Sequence, residues 1–310
     1  MNPRFRLALM RLAFRFGGVD EAPARAAALR PLVPAGIAAH LDLRYDRTDR
    51  DGLLDVFHPQ DSATPPPVIL WVHGGGWIGG DRRDMREYLQ ILAGHGYATV
   101  GVEYTRAPRR RHPHQARQVA TALAWLVAHA GEYGFDPTRV VLAGDSAGAQ
   151  IAAQVACAVT DPAYAGALGL SAPIPPEHLR ATALMCGAFD LLSMVRPGKE
   201  GRYVDAVMGA YSGTKAYRTD PRFRYASVVR WLTDAFPPTF LTAGNGDPLL
   251  PQSRRMAAAL TGLGAEVDAL FFDDTPDVLD PHEYHLDLHT DSARRALERL
   301  LAHVRRHTEP

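Results

Sequence analysis

Cysteine, lysine and long apolar runs are what this 310-residue sequence has least of, and each shortage excludes something. Two cysteines, Cys157 and Cys186, supply neither a disulfide framework nor a metal-ligand set. Both stand in apolar stretches and read as free buried thiols. No run of 18 apolar residues occurs, so nothing in the sequence is long enough to span a bilayer as a helix. An excess of one charge sign is also missing. The 34 basic residues balance 34 acidic ones, which leaves no electrostatic footprint for a nucleic acid. Lysine occurs only at Lys199 and Lys215. With alanine and proline abundant, the arginine richness reads as compositional bias rather than as a binding cluster. What remains is 46% hydrophobic and 22% charged, a soluble globular composition with material for a large core. The length admits two domains, but α/β folds of about 250 residues often form one.

Two glycine-rich stretches organise the chain. Arg139 to Ala143 is a short β-branched apolar run, which predicts a buried strand. Gly144-Asp145-Ser146-Ala147-Gly148 follows at once, and Ala149 to Ala156 reads as a helix of small residues. Strand, Gly-flanked turn and helix are the context that the G-x-S-x-G nucleophile elbow requires. The glycines leave room for a sharp turn that exposes Ser146 Oγ in a strained backbone. The second stretch is Val68 to Val72, a predicted strand, running into His73-Gly74-Gly75-Gly76-Trp77. Three consecutive glycines free backbone N–H groups to face a small anion, as an oxyanion hole demands. No Gly-Lys-Ser/Thr follows, and the spacing does not fit a dinucleotide fingerprint.

In these residues the chain resembles the α/β-hydrolase fold, and in particular the hormone-sensitive-lipase-like esterases and lipases, which carry H-G-G-G ahead of a G-D-S-A-G elbow. The resemblance covers roughly residues 40 to 305. It implies a mostly parallel central sheet with helices on both faces and a helical cap. The alternation of predicted strands and helices agrees with right-handed crossovers. Strands are expected at 40–45 and 53–57, joined through Asp51-Gly52, then at 68–72, 97–103, 139–143, 182–185, 239–243 and 267–272. Helices are expected at 82–96, 115–129, 149–156, 253–263 and 291–306. The first 19 residues are basic and free of acids, with Arg4, Arg6, Arg11 and Arg15 among apolar residues. Pro23 to Pro34 reads as a second short helical region. Residues 1–38 are assigned to the cap and residues 39–310 to the catalytic domain. Residues 187–237, rich in aromatics, are expected to be the second part of the cap. Arg109 to Arg111, which follow the Tyr104-Thr105-Arg106-Ala107-Pro108 stretch, read as a solvated loop.

A serine needs a base to attack near neutral pH, and the base needs an acid to hold its tautomer. In this fold the chain order is Ser, acid, His. Asp247, in Gly246-Asp247-Pro248-Leu249 after a predicted strand, resembles the family's acid; Gln252 stands where a closing carboxylate is common. His282 and His285 compete for the base. His282-Glu283-Tyr284 matches the family's His-Gly-Phe in register, with Glu283 departing from glycine, and His282 is assigned. If the acids at 273, 274, 277 and 280 lie near His282, its pKa should rise. His73 is read as an anchor of the glycine loop, with Gly74 beside it, and Asp145 as a structural hydrogen-bonding partner. Gly75, Gly76 and Ala147 are assigned to the oxyanion hole.

These assignments predict hydrolysis of a small carboxylic ester through an acyl-enzyme, with no metal or cofactor required. The resemblance implies short to medium acyl chains, and a cytoplasmic location is expected; homodimers are common on the architecture. The same triad serves an amidase, an arylformamidase or a peptidase. A silent binding protein would lack a triad member, and a membrane-surface lipase acting through the basic N-terminus would need an interface.

Overall fold

The computed structural model describes residues 22–194, 198–273 and 279–309. The basic segment 1–19 lies outside them. Eight strands form one sheet: β1 (Ile37–Arg44), β2 (Leu53–Pro59), β3 (Pro67–Val72), β4 (Ala98–Val102), β5 (Asp136–Asp145), β6 (Leu179–Met185), β7 (Thr239–Thr242) and β8 (Val267–Leu270). Their spatial order is β1-β2-β4-β3-β5-β6-β7-β8. The β1–β2 and β2–β4 pairings are antiparallel and every later pairing is parallel. The expected hairpin forms, with a register shift between His40 and Leu43 where Asp42 takes a positive φ of 56°.

The central strands are buried because helices cover both faces, which is why they read as continuous apolar runs rather than as alternation. β3 is buried from Val68 to Val72 and β5 from Val140 to Asp145. On one face, Val68, Leu70, Val140 and Leu142 join the core around helices His114–Ala128 and Ala147–Thr160. On the other, Ile69, Trp71, Val141 and Ala143 pack with helices Arg86–Ala93 and Asp291–Thr308. The helix after β5 is buried from Ala147 through Val159. Only small side chains permit a helix to be enclosed on all sides at this spacing, which explains its run of alanines. Among the described residues no helix is long and apolar enough to cross a membrane.

The described residues of 187–237 include helix Gly198–Ser212 and several short 3-10 turns. Most of their aromatics are packed: Phe189, Tyr211, Tyr217 and Phe223 are buried, while Tyr203 is exposed. Tyr211 stacks on Trp77 at 4.8 Å between ring centroids. Gln150 of the helix after β5 donates to the Ala226 carbonyl and accepts from Trp77 Nε1, at 2.8 and 3.0 Å. Helix Ala22–Leu29 lies against the turn and helix that follow the glycine loop. Arg109, Arg110 and Arg111 are exposed, as a solvated loop requires.

Candidate active site

The carboxyl ends of β3, β5 and β7 bring three loops to one edge of the sheet. Ser146 follows β5 with φ 52° and ψ −118°, a strained backbone for a residue bearing a Cβ. The flanking glycines have a steric cause. A Cβ at Gly144 would lie 2.6 Å from the Val72 carbonyl oxygen, and one at Gly148 would collide with the same carbonyl. β3 and the start of the helix therefore pinch the turn from one side. The Ser146 N–H, donated to Met185 O at 2.8 Å, fixes it from the other.

His282 Nε2 lies 2.9 Å from Ser146 Oγ. His282 Nδ1 lies 2.9 Å from Asp247 Oδ2. Asp247 is buried in the turn after β7, where its Oδ1 accepts the Leu249 N–H at 2.7 Å. The two loops carrying these residues are laced together. Gly246 N–H donates to the Asp280 carbonyl at 2.9 Å, and the Asp280 N–H donates to Asn245 Oδ1 at 2.8 Å. A Cβ at Gly244 would strike the Asp280 carbonyl, so that glycine admits the contact.

The glycine loop is held by His73. Its Nδ1 meets the Gly74 carbonyl at 2.7 Å, its Nε2 meets Glu103 Oε1 at 3.2 Å, and its ring stacks on Tyr104 at 4.3 Å. Burial pushes the His73 pKa down, but Glu103 and the Gly74 carbonyl outweigh it and the net direction is upward. Gly75 and Gly76 adopt φ of 112° and 58°. Among the described residues, the N–H groups of Gly75, Gly76 and Ala147 donate to no protein acceptor. Asp145 Oδ1 accepts from Trp71 Nε1 at 2.7 Å.

A cleft of about 100 Å³ opens here, lined among others by Arg25, Gly74, Gly75, Ser146, His282 and Glu283. Gly76, Ala147 and Asp247 are not part of its wall; Asp247 stands behind His282. His285 is fully buried on the other side of the loop, against Trp71, Tyr88 and Tyr284.

Burial pushes the His282 pKa down, but the Asp247 hydrogen bond and the charges of Glu283, Asp247 and Asp145 carry it up to about 9. The rise has a different origin from the one expected. Asp280 spends its backbone on Asn245 and Gly246 and its carboxyl on Ser292, and Asp273 pairs with Arg254. Asp274 and Asp277 lie outside the described residues. Two neighbours were not foreseen. Glu283, at φ 59°, sends its carboxyl to within 3.8 Å of His282 Nε2 and 3.5 Å of Arg25. It also reaches the Asp145 carboxyl, and this contact together with burial raises the Asp145 pKa. Cys186, which follows β6, sits beside Asp247. The cue available for Cys186 was its place at the carboxyl end of a strand neighbouring the one that delivers the acid. Gln252 accepts the N–H groups of Phe189 and Asp190.

A mostly parallel sheet with a serine on a strained elbow at its centre is the architecture of the α/β hydrolases. The chain belongs to this family: the family model described as alpha/beta hydrolase fold matches residues 69–280. Two esterases of Mycobacterium tuberculosis (strain ATCC 25618 / H37Rv) are similar in sequence. Esterase LipQ is 30% identical over 240 residues, 72% of this chain and 53% of its own. Esterase LipC is 30% identical over 202 residues, 64% of this chain and 49% of its own. The chain thus spans about half the length of the curated relatives it matches. Among solved structures, Esterase B from Lactobacillus rhamnosis shares the fold with a TM-score of 0.83 at 24% identity, covering 98% of this chain and 96% of that one.

Proposed function

We propose that this protein is a carboxylesterase-type serine hydrolase of the hormone-sensitive-lipase-like branch, cleaving small esters of short to medium acyl chains. The observation that carries the reading is the continuous contact from Asp247 through His282 to Ser146, at 2.9 Å on each side of the imidazole. Ser146 Oγ attacks the ester carbonyl as His282 Nε2 takes its proton. Asp247, buried against Nδ1, holds the tautomer and stabilises the imidazolium. The developing oxyanion is held by the N–H groups of Gly75, Gly76 and Ala147, each donor lowering the barrier by about 3–4 kcal/mol. Collapse expels the alcohol, which takes its proton from His282, and water then hydrolyses the acyl-enzyme. The names of the similar M. tuberculosis esterases support the same reaction class.

Helix Ala22–Leu29 and residues 187–237 act as the cap. Support comes from Arg25 in the cleft wall and from the aromatic packing of Tyr211 on Trp77, immediately after the glycine loop.

The test is hydrolysis of p-nitrophenyl esters from acetate to palmitate by the purified protein and its Ser146→Ala variant. Turnover of the short esters, lost in the variant, is the expected result. Turnover of an anilide or formamide with no ester cleaved would transfer the assignment to an amidase.

A further inference from the structure

Cys186 has no part in that mechanism, yet it stands against two of its members. It follows Met185 at the end of β6, beside the strand whose following turn carries Asp247. Its φ is 53°, a left-handed conformation that favours glycine, and its N–H donates to the Thr242 carbonyl at 2.7 Å. That geometry aims the sulfur at the relay. The thiol sits beside the Asp247 carboxylate and near the backbone of Glu283, the residue following the base. Cys186 Sγ, a carboxylate oxygen of Asp247 and a ring nitrogen of His282 all lie within 4.8 Å of one another. Cys186 and Asp247 are buried, while the His282 side chain is 32% exposed and lines the cleft.

A thiolate, an imidazole and a carboxylate are the donor set of a zinc-type cation, with a fourth position left for solvent. We infer that Cys186, Asp247 and His282 form a latent site for a soft divalent cation, and that filling it switches the hydrolase off. The switching half rests on the esterase reading; the binding half does not. The cation arrives through the cleft beside His282. It displaces the Cys186 thiol proton to solvent and binds the thiolate, since a coordinating thiol is deprotonated outright. It binds His282 at Nδ1. From the neutral imidazole the Nδ1 proton moves to Nε2 and one proton is released in all; from the imidazolium two are released. Asp247 changes from accepting the Nδ1–H to ligating the cation. No electron is transferred. With Nε2 carrying a proton and Nδ1 on the metal, His282 has no lone pair for the Ser146 hydroxyl.

The experiment has two readouts on the full chain, first stripped with EDTA. Co²⁺ titration follows the sulfur-to-cobalt charge-transfer absorption, and Zn²⁺ titration follows hydrolysis of p-nitrophenyl butyrate, with EDTA added back. The wild type develops the cobalt band at one equivalent and is inhibited reversibly by Zn²⁺. Cys186→Ser keeps a hydroxyl for Asp247 but shows no band, and its half-inhibition needs about tenfold more Zn²⁺ or above. His282→Gln removes the nitrogen ligand and weakens the band with the cysteine in place, so the inference stays testable if Cys186→Ser fails to fold. Absence of the band in the wild type, or equal inhibition of wild type and Cys186→Ser, overturns the site. A one-to-one band in a protein that cleaves no ester overturns the esterase reading and leaves the site standing.

Discussion

His282 and His285 stand three positions apart on one loop, and the fold treats them in opposite ways. His282 faces the cleft among carboxylates, and its pKa is carried up to about 9. His285 faces the core, where both ring nitrogens lack a hydrogen-bond partner among the described residues, and burial pushes its pKa well below the ordinary value. Trp71, Tyr88 and Tyr284 surround it with rings, and the charges nearest it, Arg25 and His282, are cationic rather than anionic. One imidazole thus stands at the cleft with a raised proton affinity and the other packs as an apolar filler. The side chain is the same; the difference lies in whether an anion or a ring occupies the next few ångströms.

The sharpest way to break this comparison is to delete each ring. His282→Ala is expected to lower kcat by about 10⁴- to 10⁶-fold in steady-state ester hydrolysis. His285→Leu is expected to stay within about tenfold of wild type. The reverse ranking would exchange the two residues. Next in size is Asp247→Asn, which keeps the shape but favours the wrong tautomer; the expected loss in kcat is about 10⁴-fold. A loss below tenfold would remove Asp247 from the relay.

The pH dependence sharpens the contrast further. Since His282 must be neutral to accept a proton, kcat/KM of the free enzyme is expected to rise with pH along an acid limb displaced above about 6.5, toward 9. A limb well below about 6.5 in a pH–rate profile would contradict the raised value. The folding contributions have opposite signs. His282 holds a proton in the folded state that the unfolded chain loses, so its contribution is complete below about pH 6.5 and fades as pH rises through 9. His285 refuses a proton that the unfolded chain accepts, so stability is lost as pH falls below about 6.5. The smallest expected effect follows. His285→Leu should gain about 1 kcal/mol over wild type in denaturant unfolding at pH 5, and less at pH 8. A gain independent of pH would show that the ring does not titrate in that way.

Much of this was legible in the residues. The buried strands announced themselves because both faces of β3 and β5 are covered, and the two glycine motifs marked where each ends. Chain order and motif register pointed to His282, Asp247 and Ser146, whose side chains are in contact in the fold. Contacts across the sheet were not. Cys186 and Asp247 meet because β6 and β7 are neighbours with their carboxyl ends level, a fact of strand order that no local pattern states. Glu283 looked like an oddity in a glycine position; only the folded loop shows its carboxyl reaching Asp145 and Arg25. The acids expected to raise the His282 pKa were chosen by nearness in sequence. The groups that do raise it include Asp247, from the turn after β7, and Asp145, from the end of β5.

The enclosed helix Ala147–Thr160 carries a consequence for how such a chain can change over time. Its first residue follows Ser146 directly, and its first three turns are buried throughout. A methyl added at Ala152 or Ala156 therefore has no free space to enter, and any shift of the helix moves its first turn and the serine attached to it. Substitutions far from the chemistry will register there as lost turnover before they register as unfolding. Variation is cheaper at Arg25, whose partly exposed side chain borders the cleft. The scaffold thus sets an enclosed helix behind Ser146 beside a partly exposed rim, in which Arg25 is the freer position and Glu283 is tied to His282 and Asp145.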